Sequence, residues 1–145
     1  MAEIIVLTGA DRERLIDALT KCKLPFTATL KRGTHRSLEQ NRLQFLWMRE
    51  AAEQDKSHTA EQHRAFCKLH FAVPIMRGNH DDFRRDYDEM IKPLHYEQKL
   101  RMMIAPFDFP VTSKMKTGEL KQYLDDVFVH FTGVGVKLTE PDSGT

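Results

Sequence analysis

The segment from Thr117 to Gly133 constrains the fold most strongly, because it carries the clearest apolar periodicity in the chain. Its large apolar residues recur at the spacing of one helical face: Leu120, Leu124, Val127, Phe128 and Phe131. Thr117 can cap the start of this helix, and Gly133 can end it. A helix with such a stripe buries it against other elements, so we expect a packed globular core.

Three further segments are predicted to be β-strands. Residues 3–8 form a short apolar run, and residues 26–32 alternate apolar side chains with polar or small ones. Between them Asp11 can cap a helix, which makes a strand–helix–strand opening. Residues 134–138 can add a short closing strand. The expected fold class is therefore α+β: a single small domain with a small, mostly antiparallel sheet and several packed helices.

The middle of the chain is predicted to be helical. Ser37 offers an N-cap with Gln40 as its capping-box partner, ahead of a helix over residues 38–55. Thr59 opens a second signature of the same kind, ahead of a helix that ends before Pro74. A short helix is expected near residues 81–91, whereas residues 99–105 fit either a strand or a short helix.

Length and charge limit the class of protein. At 145 residues the chain has the size of one domain, here taken as residues 1–145 with a flexible tail at 139–145. The net charge of +1 is nearly neutral. Apolar runs are too short for a membrane span, and no signal peptide is recognisable, so we expect a cytoplasmic protein that does not contact membranes.

The hexapeptide "RGNHDD" at residues 77–82 suggests a metallophosphoesterase, but the other ligand motifs of that class are missing. The acids from Asp81 to Glu89 fit a charge-paired helix face. His58, His63 and His70 lie at intervals of five and seven, which do not fit a helical pair of metal ligands. No nucleophile motif occurs either. We therefore expect no catalytic residues, no metal and no cofactor.

The stretch "HRSLEQNRLQFLW" at residues 35–47 indicates a binding function more strongly. It places basic residues and side-chain amides in the first turns of a helix: Arg36, Gln40, Asn41 and Arg42. Basic side chains and free N–H groups at a helix start attract phosphate, and amides suit backbone or base contacts. Phe45 and Trp47 follow, and aromatic rings can stack on unpaired bases. A capping box with aromatic core residues would explain the same pattern.

Two blocks of sequence resemble those of one known family. "RSLEQNR" at residues 36–42, followed by an aromatic-rich helix, is similar to the R-S-x-x-Q-N motif of the NinB (lambda Orf) family of phage recombination proteins. "TSKMKTGELKQYLDDVFVHFTGVGVKLTEP" at residues 112–141 is similar to the C-terminal pattern of that family. The blocks keep the family's order, and residues 71–105 resemble it least.

The resemblance implies a dimeric recombination mediator, encoded by a phage or prophage and without enzymatic activity. Such a protein binds single-stranded DNA, contacts the host single-stranded-DNA-binding protein and helps to load a strand-pairing protein. By the motif, the implied DNA-binding residues on the helix are Arg36, Gln40, Asn41 and Arg42. Phe45 stands where the family often has Trp, and Trp47 could take over its role. Lys114 and Lys116 match basic positions of the second block.

Phosphate contacts are further expected from Lys31 and Arg32, which stand just ahead of that helix. Two alternatives remain open. One is a metal-dependent nuclease or junction resolvase that uses the acids between Asp81 and Glu89. The other is a replication adaptor that docks a protein partner and makes little DNA contact of its own.

Overall fold

The computed structural model describes residues 4–33 and 35–140, without the side chains of residues 35–37. These ranges form helices, turns and irregular segments and contain no strand. A π-helical turn occupies Lys68–Ala72, and a 3-10 turn occupies Thr112–Lys114. The chain divides between Leu43 and Gln44 into two compact units. The α-helices are α1 (Gly9–Lys21), α2 (His35–Gln54), α3 (Ala60–Cys67), α4 (Val73–Asn79), α5 (Asp81–Met90), α6 (Tyr96–Met102) and α7 (Thr117–Gly133).

The α+β prediction with an antiparallel sheet is wrong. The described part of residues 3–8 and all of residues 26–32 have no strand partner, and residues 26–32 are solvent-exposed along their whole length. A strand forms only where another strand satisfies its N–H and C=O groups. The alternating pattern by itself is therefore not sufficient for a strand, because no partner strand is present in the described residues.

The segment after α7 has extended backbone but hydrogen-bonds to helix side chains. Gln54 accepts from the Lys137 N–H (2.7 Å) and donates to the Lys137 carbonyl (2.6 Å). Glu50 accepts from the Thr139 N–H (2.9 Å), and the Trp47 indole donates to the Thr139 carbonyl (2.7 Å). Trp47, Glu50 and Gln54 are spaced by three and four residues, so one face of α2 takes the place of the expected neighbouring strand.

In the first unit, α1 begins with a complete capping box. The Asp11 N–H donates to the Thr8 hydroxyl (3.1 Å), while the Asp11 carboxylate accepts from the Thr8 N–H (3.2 Å). The predicted cap at Asp11 is thus replaced by Thr8, three residues earlier. Several apolar side chains of this unit are 39–84% exposed: Ile4, Ile16, Leu19, Leu24, Phe26 and Leu30.

In the second unit, a nearly continuous helical run passes through Pro74. The helix predicted to end before Pro74 instead leads from α3 into the π-helical turn and then α4. The Val73 N–H bonds to the Lys68 carbonyl five residues earlier, which inserts one extra residue just before the proline. A wide turn of this kind shifts the hydrogen-bond register, and the missing proline N–H is then tolerated near the start of α4.

Several predicted helices are confirmed. α7 ends at Gly133 as predicted, and the stripe residues Leu120, Leu124 and Val127 are buried. Burial of each such side chain is worth about 1.5–3 kcal/mol. The predicted Thr117 cap is wrong by one residue, because Lys116 is the N-cap and Thr117 is the first residue of the helix. The capping box that opens α3 at Thr59 is present, and α5 forms near its predicted position. Residues 99–105, which fitted either a strand or a short helix, begin within α6. The Ser37 cap is wrong, because α2 begins two residues earlier, at His35.

Candidate functional site

The residues predicted to bind DNA are distributed over both compact units. Lys31 and Arg32 are exposed in the irregular segment between α1 and α2. Arg36 belongs to the first turn of α2, and its side chain lies outside the described residues. Asn41 is half-buried one turn further along α2. Among the predicted DNA-binding residues of this unit, Lys31 and Arg32 are therefore exposed cations in an irregular segment.

Arg42 is engaged within the first unit. Its guanidinium donates to the Asp11 carboxylate at 2.9 Å and to the Ile5 carbonyl at 3.4 Å, while the arginine side chain remains 47% exposed. Arg14 pairs with the same carboxylate. The hydrogen bond from the Leu7 N–H, together with those from the two arginines and Thr8, holds the pKa of Asp11 well below its usual range although burial acts the other way. Arg42 thus stabilises the charged form of the residue that closes the α1 cap.

Gln40 does not form the predicted capping box. Its Oε1 atom is buried and has no hydrogen-bond partner among the described residues. Ser37, the expected partner, is the third residue of α2 and not its cap. A buried amide oxygen without a donor costs stability, which makes Gln40 an acceptor that an incoming donor could satisfy.

The two aromatic residues of α2 differ in exposure. Trp47 is 2% exposed, donates its indole N–H to Thr139 and lies 5.5 Å from the Phe128 ring, centroid to centroid. Phe45 is 42% exposed. The aromatic surface that a base could reach on this stretch is therefore that of Phe45, and Trp47 belongs to the core of the second unit.

Lys114 and Lys116 are exposed immediately before α7. Lys114 ends the 3-10 turn, and the Lys116 N–H donates to the Glu119 carboxylate at 2.9 Å. Because α7 is 17 residues long, its first N–H groups present a positive helix end beside these two lysines. Glu119 offsets part of that charge.

The "RGNHDD" hexapeptide forms the corner between α4 and α5, and its polar side chains have structural partners. The Glu119 carboxylate lies 2.8 Å from His80 Nε2 and accepts from the Asn79 amide at 3.0 Å. Burial raises the pKa of Glu119, but the hydrogen bonds from Lys116, Asn79 and His80 outweigh it and lower the pKa overall. The motif ties this corner to the start of α7.

The acidic segment that follows is paired with arginines. Asp81 pairs with Arg84 at 3.0 Å and Asp82 with Arg85 at 3.1 Å, in both cases three residues along α5. Asp88 receives two hydrogen bonds from Arg77. In the described part of the chain, none of the acids from 81 to 89 belongs to a group of three or more potential metal ligands.

A different polar cluster lies beside the turn between α2 and α3. Ligand-type atoms of Asp55, His58 and His63 all fall within 4.8 Å of one another. Asp55 Oδ2 lies 4.0 Å from His58 Nδ1 and 3.9 Å from His63 Nε2. The other carboxylate oxygen, Oδ1, accepts from the Ser57 N–H at 3.1 Å and from its hydroxyl. These Ser57 bonds lower the pKa of Asp55.

This cluster lines a pocket of about 220 Å³. His63 is buried, whereas the side chains of Asp55 and His58 are 45% and 57% exposed. The remaining wall comes from α3, from α7 and from the segment after it: Gln62, Phe66, His130, Phe131, Val134 and Val136. An oxygen and two imidazole nitrogens thus meet at the side of a mostly apolar pocket within the second unit.

Sequence reasoning missed this cluster for an identifiable reason. It tested His58, His63 and His70 against the period of one helix, but His58 belongs to the turn before α3. His70 takes part in another contact, 2.8 Å from the Tyr96 hydroxyl. The usable signal was a D-x-x-H-x-x-x-x-H spacing across a helix–turn–helix junction, which brings Asp55 back toward the first turns of α3.

No family model, curated protein or solved structure matches this chain. The resemblance to the NinB family is therefore carried by the two sequence blocks alone. Within the described residues, no helix combines the length and the apolar character needed to cross a membrane.

Proposed function

We propose that this protein binds single-stranded DNA and acts as a phage or prophage recombination mediator. In the bacterial host cell it would cooperate with the host single-stranded-DNA-binding protein and promote loading of a strand-pairing protein. The observation that carries the proposal is the ordered pair of blocks at residues 36–42 and 112–141. The first block lies in the first turns of α2, a helix of 20 residues, and the second includes the whole of α7, a helix of 17 residues.

Phosphate contacts are assigned to exposed cations near these helix starts. Lys31 and Arg32 precede α2, and Lys114 and Lys116 precede α7. Cationic side chains near helix N-termini suit phosphate oxygens, and such contacts carry no base preference. Because the net charge is only +1, we expect modest affinity that depends strongly on salt.

Base contacts are assigned to the exposed ring of Phe45. Stacking of a base on an aromatic ring tolerates every base, as a mediator that acts on any sequence requires. Arg36, Asn41 and Arg42 stay in the proposal as secondary contacts on α2, with Arg42 shared between DNA and Asp11. Gln40 would contribute only if a DNA donor reached its buried oxygen.

The decisive experiment is a salt titration of binding to a labelled single-stranded oligonucleotide, followed by fluorescence anisotropy. If Lys114 and Lys116 each contact a phosphate, the double variant Lys114→Gln/Lys116→Gln lowers the slope of log affinity against log salt by about 1.4. Lys92→Gln, which removes an exposed lysine after α5, is the matched control and should leave the slope unchanged.

An unchanged slope in the double variant would remove Lys114 and Lys116 from the interface. If the wild-type chain showed no DNA binding at low salt but still bound the host single-stranded-DNA-binding protein, the adaptor alternative would replace our proposal. Strand cleavage with Mg²⁺ that Asp82→Asn abolishes would instead support the nuclease.

We also propose that the protein acts as a homodimer. Support comes from the exposed apolar side chains of the first unit, among them Leu24 and Leu30 at 83% and 84% exposure. Apolar surface of this kind is common where proteins associate. Light scattering coupled to gel filtration should give twice the chain mass, and Leu30→Glu should shift it toward the monomer. A monomer at all concentrations would contradict the dimer.

A further inference from the structure

The atoms of the Asp55–His58–His63 cluster have the chemistry of a transition-metal site. One carboxylate oxygen and two imidazole nitrogens form a donor set that suits zinc and similar divalent ions. Asp55 and His58 lie in the five-residue connection between α2 and α3, and His63 lies in the first turns of α3.

We propose that Asp55, His58 and His63 bind one divalent transition-metal ion of the zinc type, with an open coordination position that faces the neighbouring pocket. Three protein ligands with one remaining position for water or a small ligand are typical of reactive zinc sites, whereas purely structural sites use four. The site is independent of the DNA contacts proposed above.

The present separations allow the cluster to close around an ion. In a tetrahedral site with bonds of about 2.0–2.2 Å, ligand atoms lie about 3.4 Å apart. Asp55 Oδ2 lies 3.9 and 4.0 Å from the two imidazole nitrogens, about half an ångström more than this, and all three ligand atoms lie within 4.8 Å of one another. His58 is exposed and located in a turn, so rotation of its side chain can bring its imidazole closer. His63 is the buried anchor of the site.

Ser57 already orients the carboxylate. Ser57 donates hydrogen bonds to Asp55 Oδ1, so that Oδ2 faces the two histidines. Residues that do not bind the metal themselves commonly orient a metal-binding carboxylate in this way. Ser57 Oγ also lies 2.9 Å from His58 Nδ1, and metal binding through that nitrogen would replace this contact. His63 Nε2 lies 3.4 Å from the Asp55 carbonyl, so metal binding would replace that contact and require the tautomer protonated on Nδ1.

The walls of the pocket surround the open coordination position of the proposed metal ion. Phe66, Phe131, Val134 and Val136 supply apolar walls, and all three proposed ligands line the same cavity of about 220 Å³. A small molecule with one donor atom for the metal and an apolar body fits this arrangement best. A charged polymer such as DNA does not, since the cavity is small and mostly apolar.

The test uses the full-length chain without a histidine tag, freed of metal by a chelator. Titration with Co²⁺ should produce the visible absorption of a tetrahedral site, and calorimetry with Zn²⁺ should give one ion per chain. His58→Ala and Asp55→Asn should each weaken Zn²⁺ binding by at least about tenfold. His95→Ala, at an exposed histidine before α6, is the matched control and should bind as the wild type does.

His58→Gln is the second variant at that position. Because glutamine can still hydrogen-bond to Ser57, this variant separates the loss of a metal ligand from a loss of local structure. No saturable binding, or equal affinity in the wild type and both His58 variants, would overturn the site. Loss of binding in only one of the His58→Ala and Asp55→Asn variants would overturn the three-ligand arrangement. Addition of Zn²⁺ should also raise the melting temperature of the wild type and of His95→Ala, but not that of the ligand variants.

Discussion

Arg42 donates a hydrogen bond of 2.9 Å to Asp11, which stands 31 residues earlier in the chain. The arginine belongs to the motif that the family resemblance assigns to DNA, and its partner closes the cap of α1. A residue of the first sequence block therefore has a structural role in the first unit, whatever it does toward DNA. Variants of Arg42 must consequently be judged for stability before they are judged for binding.

The Arg42–Asp11 pair should show energetic coupling. Arg42→Gln and Asp11→Asn are each expected to lower the melting temperature, because each removes a charge-assisted hydrogen bond. In the Asp11→Asn background, Arg42→Gln should have a clearly smaller effect than in the wild type. A double-mutant cycle in urea measures this difference. Strictly additive effects would show that the two side chains do not interact in solution.

Phe45→Ala should weaken binding to single-stranded DNA. If one base stacks on the ring, the loss is about 1–3 kcal/mol, or roughly fivefold to 150-fold in affinity. The change in stability should be small, because Phe45 is 42% exposed. Anisotropy at fixed salt measures the affinity, and thermal denaturation measures the stability.

Trp47→Phe is the contrasting variant and should lower stability while leaving DNA binding unchanged. It removes the indole N–H bond to Thr139 and leaves space in the core, at a cost of about 1–3 kcal/mol in unfolding free energy. Affinity of the folded protein for DNA should stay close to that of the wild type. A variant that folds as stably as the wild type but no longer binds DNA would contradict the assignment of Trp47 to the core.

Asp108→Asn should destabilise the second unit. The Lys68 ammonium is buried and donates to the Asp108 carboxylate and the Met103 carbonyl, each at 2.8 Å, and Arg64 donates to the same carboxylate. Removal of the anion leaves a buried cation, which costs about 3–5 kcal/mol in a fully buried pair. Because Asp108 is 49% exposed, we expect about 1–3 kcal/mol.

The backbone at Asp108 makes asparagine a suitable replacement. Its φ of 45° lies in the left-handed region, which asparagine tolerates well. Asp81→Asn makes the same chemical change in a pair that is 90% exposed on the acid side, so its effect should stay below about 1 kcal/mol. Equal losses in the two variants would show that Lys68 is not held by Asp108.

Stability should fall in acid, in part through Asp108. Burial raises the pKa of its carboxyl, but hydrogen bonds from Lys68 and Arg64 outweigh this and leave the pKa below its ordinary value. The stabilisation is therefore complete above the unfolded pKa of about 3.9 and is lost as the pH falls through the lower folded pKa. The difference in unfolding free energy between the wild type and Asp108→Asn should narrow below about pH 4. Urea titrations at several pH values measure it.

Tyr123→Phe should stabilise the protein by about 1 kcal/mol. Tyr123 is completely buried, and its hydroxyl has no hydrogen-bond partner in the described part of the chain. Burial also raises the pKa of this phenol well above its usual range. Tyr96→Phe is the control, because it loses an exposed contact with His70 and should be neutral or slightly destabilising. A loss of more than about 1 kcal/mol in Tyr123→Phe would indicate a bound water or ligand at the hydroxyl.

Helices that depend on local signals were predicted well. The buried stripe of α7 follows from its apolar period and its end from Gly133, and the box of Thr59 with Gln62 opens α3 as expected. Caps and side-chain periodicity act over three or four residues, so a single sequence contains them. Pro74 was misread, because the π-helical turn before it relieves the missing hydrogen bond.

The strands and the pocket depended on contacts between distant residues. Residues 134–138 have a pattern suited to a strand, but hydrogen bonds to Gln54 and Glu50, across 83 and 89 positions respectively, hold this segment and its neighbour Thr139 on a helix face. His58 and His63 meet Asp55 because the turn between α2 and α3 brings their ligand atoms together. The residue pattern alone established most of the helices and the Thr59 cap, because these follow from short-range geometry. It misplaced the caps at Asp11, Ser37 and Thr117 by one to three residues. The tertiary structure decided the rest. The packing of α2 against the segment after α7 determined which backbone groups of that segment found hydrogen-bond partners. The packing of α3 with the other residues of the pocket determined which titratable side chains came together.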